Sequence, residues 1–284
     1  MSGPSLRTVL HERAYAKVNL ILQVGRSRED GMHPLCSLFA SLELADDVHG
    51  GPSARGADSV ECAGVEGRNL AQTALEAIRA RVGGALPPVG VRIEKRIPVA
   101  GGLGGGSADA AAVLRLANRV AGEPLDTAAL HELAAGLGSD VPSQLNPRHA
   151  LVQGTGERVE PIDLPSLAAV LVPAGEGLHT RSVYAQLDRM GGGRGHLDPD
   201  RLRRVAGAEP AELAGALEND LQDAALALRP ELDDTLARLR ATGALGVAVS
   251  GSGPTCFGLF EDRAAAERAA ISLPEALVTE LRGG

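Results

Sequence analysis

Residues 98–109 read Pro98-Val99-Ala100-Gly101-Gly102-Leu103-Gly104-Gly105-Gly106-Ser107-Ala108-Asp109 and run directly into Ala110-Ala111-Ala112-Val113-Leu114. Five glycines within six residues open backbone conformations closed to other residue types and leave N–H groups bare to a ligand. Val113, Leu116, Ala117 and Val120 follow at i, i+3, i+4 and i+7, with Gly122 as a stop and Pro124 beyond, which predicts a helix. A glycine loop feeding a helix N-terminus gathers unpaired N–H groups and the positive end of the helix dipole at one point, which suits a phosphate. A loop made of glycine for purely structural reasons is the competing reading, because such a loop alone is a weak signal.

Composition narrows the partners. The formal charge is −8, from 28 Lys and Arg against 36 Asp and Glu, and no basic tract is present, so neither nucleic acid nor a membrane surface is expected as a partner. Aromatic residues make up 2%, too few for a single-strand stacking platform. No apolar run reaches the roughly 18 residues of a membrane span. Residues 1–12 lack the basic and apolar regions of a signal peptide, so a cytoplasmic protein is expected. Cys36, Cys62 and Cys256 have no companion at metal-ligand spacing and read as reduced, buried thiols, with no metal site. Of the 28 basic residues only Lys17 and Lys95 are lysine. Where arginine serves for ordinary charge, a retained lysine marks a place for a compact ammonium, so both become site candidates.

Residues 14–24 alternate, with Val18, Leu20, Leu22 and Val24 on one face and Lys17, Asn19 and Gln23 on the other. That predicts a strand with a core side and a polar side, which is either a working face or a solvated one. Residues 26–33 read as a polar turn around Asp30-Gly31 ending in His33, on local grounds a surface imidazole. Residues 35–48 are strand-like, and Gly50-Gly51-Pro52 is read as a loop at a hairpin tip. Asn69 is expected to cap a helix reaching Val82. Residues 91–97 read as a strand that sets Lys95 among Val91, Ile93 and Ile97, where an ammonium needs an anionic partner such as a phosphate. Asp126 is expected to cap a helix with Leu130, Leu133, Ala134 and Leu137 as its apolar stripe, and Asp140 follows between Gly138 and Pro142, held on rigid elements or simply in a turn. Beyond residue 150 the texture becomes strand, helices, two strands, helix, strand, with a flexible loop at residues 191–200. That order fits a ferredoxin-like βαββαβ unit. An α+β chain is expected, with domains at 1–155 and 156–284.

Pro98 to Ala108 resembles the loop of the GHMP small-molecule kinases, Pro-x-x-x-Gly-Leu-Gly-Ser-Ser-Ser-Ala, with Gly105 and Gly106 replacing two serines. The resemblance extends over nearly the whole chain. It includes Ala-Lys-Val-Asn-Leu at 16–20, Asp-Gly-x-His at 30–33, Gly-Ser-Asp-Val-Pro at 138–142, Asn-Asp-Leu at 219–221 and Ser-Gly-Ser-Gly-Pro at 250–254. It implies a two-domain fold, the N-terminal domain like domain 2 of ribosomal protein S5 and the C-terminal one ferredoxin-like. It also implies phosphoryl transfer from ATP, with Mg²⁺, to a hydroxyl of a small-molecule substrate. The glycine variant looks most like members acting on a cytidine diphosphate sugar alcohol. By the resemblance, Pro98, Gly101, Gly102, Leu103, Gly104, Gly105, Gly106, Ser107, Ala108 and Asp109 belong to the nucleotide site, with Asn69 and Lys95. Asp140 takes the proton of the acceptor hydroxyl and Lys17 screens developing charge beside it. Asn19, Met32, His33, Thr180, Tyr184, Gly251, Ser252 and Gly253 face the acceptor. A monomer or weak homodimer is expected.

Met32 departs from the family's usual tyrosine, which stacks on the cytosine ring; Tyr184 stands where a second aromatic is expected. A relative acting on another small alcohol therefore stays open. A dinucleotide-binding oxidoreductase fits less well, because residues 102–107 give Gly-x-Gly-x-x-Ser and lack the final Gly or Ala. Neither Ser107 nor Ser252 has the Gly-x-Ser-x-Gly frame of a serine hydrolase. A nucleotide-binding module without catalysis would be told apart by ATP turnover.

Overall fold

The computed structural model describes residues 9–65, 67–175 and 177–283. Most of the stretch read against a signal peptide, residues 1–8, lies outside them. In chain order the elements are β1 (Leu10–Val24), β2 (Leu35–Pro52), β3 (Ser59–Cys62), α1 (Leu70–Val82), β4 (Val89–Glu94), α2 (Gly105–Val120), α3 (Thr127–Leu137), α4 (Val141–Gln144), β5 (Ala150–Gly154), β6 (Arg158–Pro161), β7 (Ala168–Val172), α5 (Thr180–Arg189), α6 (Pro199–Ala206), α7 (Pro210–Gly215), β8 (Glu218–Asn219), α8 (Gln222–Leu228), α9 (Glu231–Ala241), β9 (Gly246–Val249), β10 (Cys256–Phe260), α10 (Arg263–Ala270) and β11 (Leu277–Glu280). No helix among the described residues is long and apolar enough to cross a membrane.

Two compact units result, but not from one cut near residue 155. One is formed by the chain up to Tyr15, Ala45–Ile97 and Gly105–Pro147; the other by Ala16–Leu44, Pro98–Gly104 and the chain from Arg148 on. β1, β2 and the glycine loop each supply residues to both.

In the first unit the second half of β2 pairs antiparallel with β4, from Asp47 opposite Glu94 to Pro52 opposite Val89, and β3 runs parallel to β4. Gly50-Gly51-Pro52 is therefore strand and not a hairpin tip. Glycine is needed there for close approach: a Cβ on Gly50 would lie 2.9 Å from the Gly90 carbonyl oxygen and 3.0 Å from Leu116. Helix α1 starts as expected, with Asn69 Oδ1 accepting the Gln72 N–H at 2.9 Å, and Asp126 caps α3 in the same way. Ala110, Val113, Leu114 and Ala117 of α2 are fully buried with Ala74 and Ile78 of α1 and Val48, Val89 and Ile93 of the strands. An alanine-rich helix lets its neighbours approach closely while keeping high helix propensity.

In the second unit, β1 pairs parallel with β8 and the first half of β2 pairs with β5, which forms a hairpin with β6. A separate antiparallel sheet has the order β11-β7-β10-β9. With α9 and α10 in their places along the chain, this is the ferredoxin-like unit expected from the sequence. The loop expected at residues 191–200 runs to Asp198, where α6 follows, and is anchored at Arg194. Arg194 donates its N–H to the Val24 carbonyl at 2.8 Å, and its guanidinium meets Asp220 at 2.6 Å and also Glu218.

His149 binds β2 to the segment after β11. The Ser41 N–H donates to Nδ1 at 3.1 Å and Nε2 donates to the Arg282 carbonyl at 2.6 Å, so the buried ring must be neutral. Burial holds its pKa below the ordinary 6.5, against the Arg282 carbonyl, which favours the charged ring. Because the unfolded chain then takes up the proton first, this contribution is complete above pH 6.5 and shrinks as the pH falls below it. Urea unfolding between pH 8 and 5 should show the loss, at up to about 1.4 kcal/mol per pH unit. His149→Gln should show a correspondingly shallower dependence, and an equal slope in both proteins would refute this role.

Candidate functional site

The second unit holds residues 98–104, where Ala100, Gly102 and Gly104 have φ of 56°, 76° and 71°. This left-handed stretch meets the turn of residues 250–255. Ser250 Oγ donates to the Gly102 carbonyl at 3.0 Å, the Thr255 N–H donates to the Gly101 carbonyl at 3.2 Å, and the Gly253 N–H closes the turn onto the Ser250 carbonyl at 2.8 Å. Asn219 Nδ2 donates to the Val249 and Gly251 carbonyls at 2.9 and 2.8 Å, which fixes the turn from below. Residues 98–104 and the second glycine turn thus form one backbone surface.

Lys17 and Asn19 lie against it. Far from being a solvated face, the polar side of β1 is buried: Lys17 is 4% exposed and Asn19 2%. Lys17 Nζ donates to Asn19 Oδ1 at 2.7 Å and stands 3.4 Å from the Gly102 carbonyl and 4.8 Å from the centre of the Phe39 ring. Asn19 Nδ2 donates to Ser37 Oγ at 2.9 Å, and Ser37 Oγ to the Ile21 carbonyl at 2.7 Å. A Cβ on Gly251 would come within 3.1 Å of Asn19 Oδ1 and 3.7 Å of Lys17 Nζ, so only glycine lets this turn lie so close to the ammonium. The relay orients Asn19 and leaves the ammonium a fixed position.

A second group gathers around His33, which is 8% exposed and not the surface imidazole expected locally. Its Nδ1 donates to the Gly25 carbonyl at 2.9 Å, its Nε2 lies 3.4 Å from Asp188 Oδ2, and its ring centre is 5.1 Å from that of Tyr184, tilted by 44°. Asp188 and Tyr184 sit one turn apart on α5. Met32 beside it is 46% exposed, its N–H accepted by Asp30 Oδ1 at 3.0 Å. Thr180, at the start of α5, and Ser252 share a hydroxyl contact of 3.1 Å.

The first unit holds the rest. Helix α2 begins at Gly105, so Gly105, Gly106, Ser107, Ala108 and Asp109 are helical and only residues 98–104 are loop. The N–H groups of the first turn are without helical acceptors by geometry, and a Cβ on Gly106 would meet nothing within 4 Å, so its surroundings are open. Asp140 is half-buried ahead of α4, with its carbonyl accepting Ser143 Oγ at 2.8 Å and the Val141 N–H reaching back to Gly138 at 3.1 Å. It stands between the ends of two helices, with no side-chain cap bond to α4.

Three residues expected at the nucleotide, Lys95, Asp109 and Asn69, make contacts within the fold. Strand β4 ends at Glu94, and Lys95 Nζ is 2.5 Å from Asp46 Oδ2 and 2.7 Å from Asp109 Oδ2. The anion required by a buried ammonium is thus a pair of carboxylates, where the sequence suggested a phosphate. Burial pushes the Asp109 carboxyl up to about 7, with Lys95 opposing and Asp46 adding to it. Asn69 uses its side-chain oxygen as a helix cap. Sequence reasoning missed Asp46, Ser250, Thr255 and Asp188. Ser250 stood in the Ser-Gly-Ser-Gly-Pro motif and Asp46 was a carboxylate inside an apolar strand, which needs a cation, whereas Thr255 and Asp188 carried no signal.

Comparison with known proteins identifies the family. The family model of the GHMP kinases N terminal domain matches residues 69–146 and that of the GHMP kinases C terminal domain matches residues 203–279. The chain is 43% identical over 272 residues to the 4-diphosphocytidyl-2-C-methyl-D-erythritol kinase of Streptomyces coelicolor, covering 91% of this chain and 90% of that one. It is 46% identical to the kinase of the same name from Anaeromyxobacter dehalogenans, covering 92% and 83%. A crystal structure of 4-(cytidine 5'-diphospho)-2C-methyl-D-erythritol kinase superposes with a TM-score of 0.81 at 38% identity, over 97% of this chain and all of that one. With the glycine loop, the lysine strand and the second glycine turn in their places and both family models matched in order, the chain belongs to the GHMP kinases.

Proposed function

We propose that this kinase transfers the γ-phosphoryl group of ATP to a hydroxyl of 4-diphosphocytidyl-2-C-methyl-D-erythritol, giving the 2-phosphate, a step of non-mevalonate isoprenoid precursor synthesis. The observation that carries this is identity of 40% or more to kinases of that name over about nine-tenths of the chain. The open first turn of α2 suits an anionic group such as a phosphate. Glycines 104–106 and Ser107 would hold the phosphates through their N–H groups. Asp140 would orient the acceptor hydroxyl and accept its proton, and Lys17 would offset charge developing in the transition state. Mg²⁺ carried on the nucleotide would neutralise phosphate charge. Among the described residues no group of three His, Cys, Asp or Glu is gathered, so no ligand from the chain is assigned to it. Asn19, His33 and Tyr184 would face the acceptor, His33 and Tyr184 at the cytosine.

ADP release with Mg²⁺-ATP and the cytidylated substrate tests the assignment against a panel of small alcohols. Turnover of another alcohol but not of the cytidylated one would establish the second reading, which Met32 favours by leaving one face of the base without an aromatic. If cytosine does bind here, Met32→Tyr should lower the KM of the cytidylated substrate about two- to thirteenfold, as an added ring contact of roughly 0.5–1.5 kcal/mol requires. An unchanged KM would remove residue 32 from the base site.

A further inference from the structure

The glycine loop leaves the first unit after Ile97 and returns to it at Gly105, and just outside those points its two ends are bridged. Lys95 and Asp109, fourteen positions apart, meet at 2.7 Å. Asp46 of β2 completes the bridge: its Oδ2 takes the same ammonium at 2.5 Å, and its Oδ1 accepts the N–H groups of Arg96 at 2.5 Å and Ile97 at 2.8 Å. A fully buried carboxylate therefore grips the backbone leading into the loop, while the ammonium it holds grips the helix leading out. Gly105 packs on this cluster, since a Cβ there would lie 3.0 Å from Ile97 Cγ2 and 3.4 Å from Lys95 Nζ.

As a device for stability alone the cluster is poorly built. It sets two carboxylates against one ammonium, and Asp109 Oδ1 is buried with no hydrogen-bond partner among the described residues. Apolar side chains of similar volume would commonly stabilise the fold as well or better. What the three charges supply is a fixed span between the ends of a glycine-rich segment, whose backbone freedom a ligand would otherwise have to remove on binding.

We propose that Asp46, Lys95 and Asp109 form a clamp that orders the glycine loop before nucleotide arrives, so that Lys95 and Asp109 are positioning residues for the triphosphate and not contacts to it. This rests on the reading that the loop holds ATP. A loop ordered in advance lowers the penalty of binding, and bound nucleotide can still order a loosened loop. Loss of the clamp should therefore appear in ATP affinity more than in turnover.

Asp109→Asn keeps the volume and removes the charge. The KM and the calorimetric Kd for Mg²⁺-ATP should rise about tenfold, kcat should fall less than threefold, and the KM of the acceptor should stay close to that of the wild type. Amide exchange across residues 101–107 should quicken in the free variant and return towards the wild-type rate with ATP. Lys95→Met should behave alike; if it does not fold, Asp109→Asn alone decides. A Kd for ATP within twofold of the wild type would overturn the clamp, and so would a large fall in kcat at unchanged KM. Since nucleotide binding is measured without acceptor, a wild-type protein that binds ATP but ignores the cytidylated substrate refutes the proposed acceptor and leaves the clamp to be judged on Kd. A wild-type protein that does not bind ATP overturns both.

Discussion

Exchange of Asp140 for asparagine is expected to lower kcat by about 10²–10⁴-fold, the usual contribution of a positioned general base. The fold should survive, because Asp140 is only half-buried. Asparagine has the same shape and can still orient a hydroxyl, but it cannot take the proton, so the loss should lie in kcat and hardly in the KM of either substrate. Lys17→Met should also lower kcat strongly. It differs in carrying a structural penalty, since it strips Asn19 Oδ1 of a buried donor at 2.7 Å. ADP release from folded protein, checked by circular dichroism, measures both. Near-normal kcat in folded Asp140→Asn would end its assignment as the base.

A large loss of stability is expected from a side chain at Gly102. Its φ of 76° already disfavours any side chain, and a Cβ would stand 2.3 Å from the carbonyl oxygen of Ser250. That oxygen is backbone in a turn closed by the Gly253 N–H, so it cannot swing aside as the tip of a flexible side chain would. Gly102→Ala should cost about 3 kcal/mol or more in urea unfolding, as strained backbone and steric overlap add. Gly106→Ala makes the internal comparison. This residue is helical and exposed, and its Cβ would meet nothing within 4 Å, so stability should rise by up to about 1 kcal/mol through helix propensity. Equal unfolding midpoints for the two variants would show that the paired glycine segments do not constrain each other.

The ferredoxin-like half was legible because its strands are short, alternate cleanly and sit between helices with clear caps. Helix α1 was legible from Asn69, and α3 from Asp126 and Gly138. Gly50-Gly51-Pro52 was misread because glycine and proline count locally as punctuation, whereas the absence of a side chain at Gly50 is required by Leu116 and Gly90, residues 40 or more positions away. The lysines were found by their scarcity, but the partners of Lys95 lie on β2 and α2, and no local pattern joins Asp46 to Asp109. The burial of His33 likewise depends on Tyr184 and Asp188, contributed by a helix some 150 residues later. Motif order named the candidate residues; what it could not carry was which charges are already satisfied within the fold.

Interleaving of the two units has a bearing on synthesis. The core of the second unit draws Leu22, Val24, Leu35 and Phe39 from the beginning of the chain and Leu232, Phe260 and Leu273 from near its end. A ribosome adding about 5–20 residues each second delivers those early strands many seconds before the residues that cover them. For that interval the nascent protein must carry β1 and β2 with apolar faces unsheltered. It is then that the chain depends most on chaperones or on avoiding its own copies.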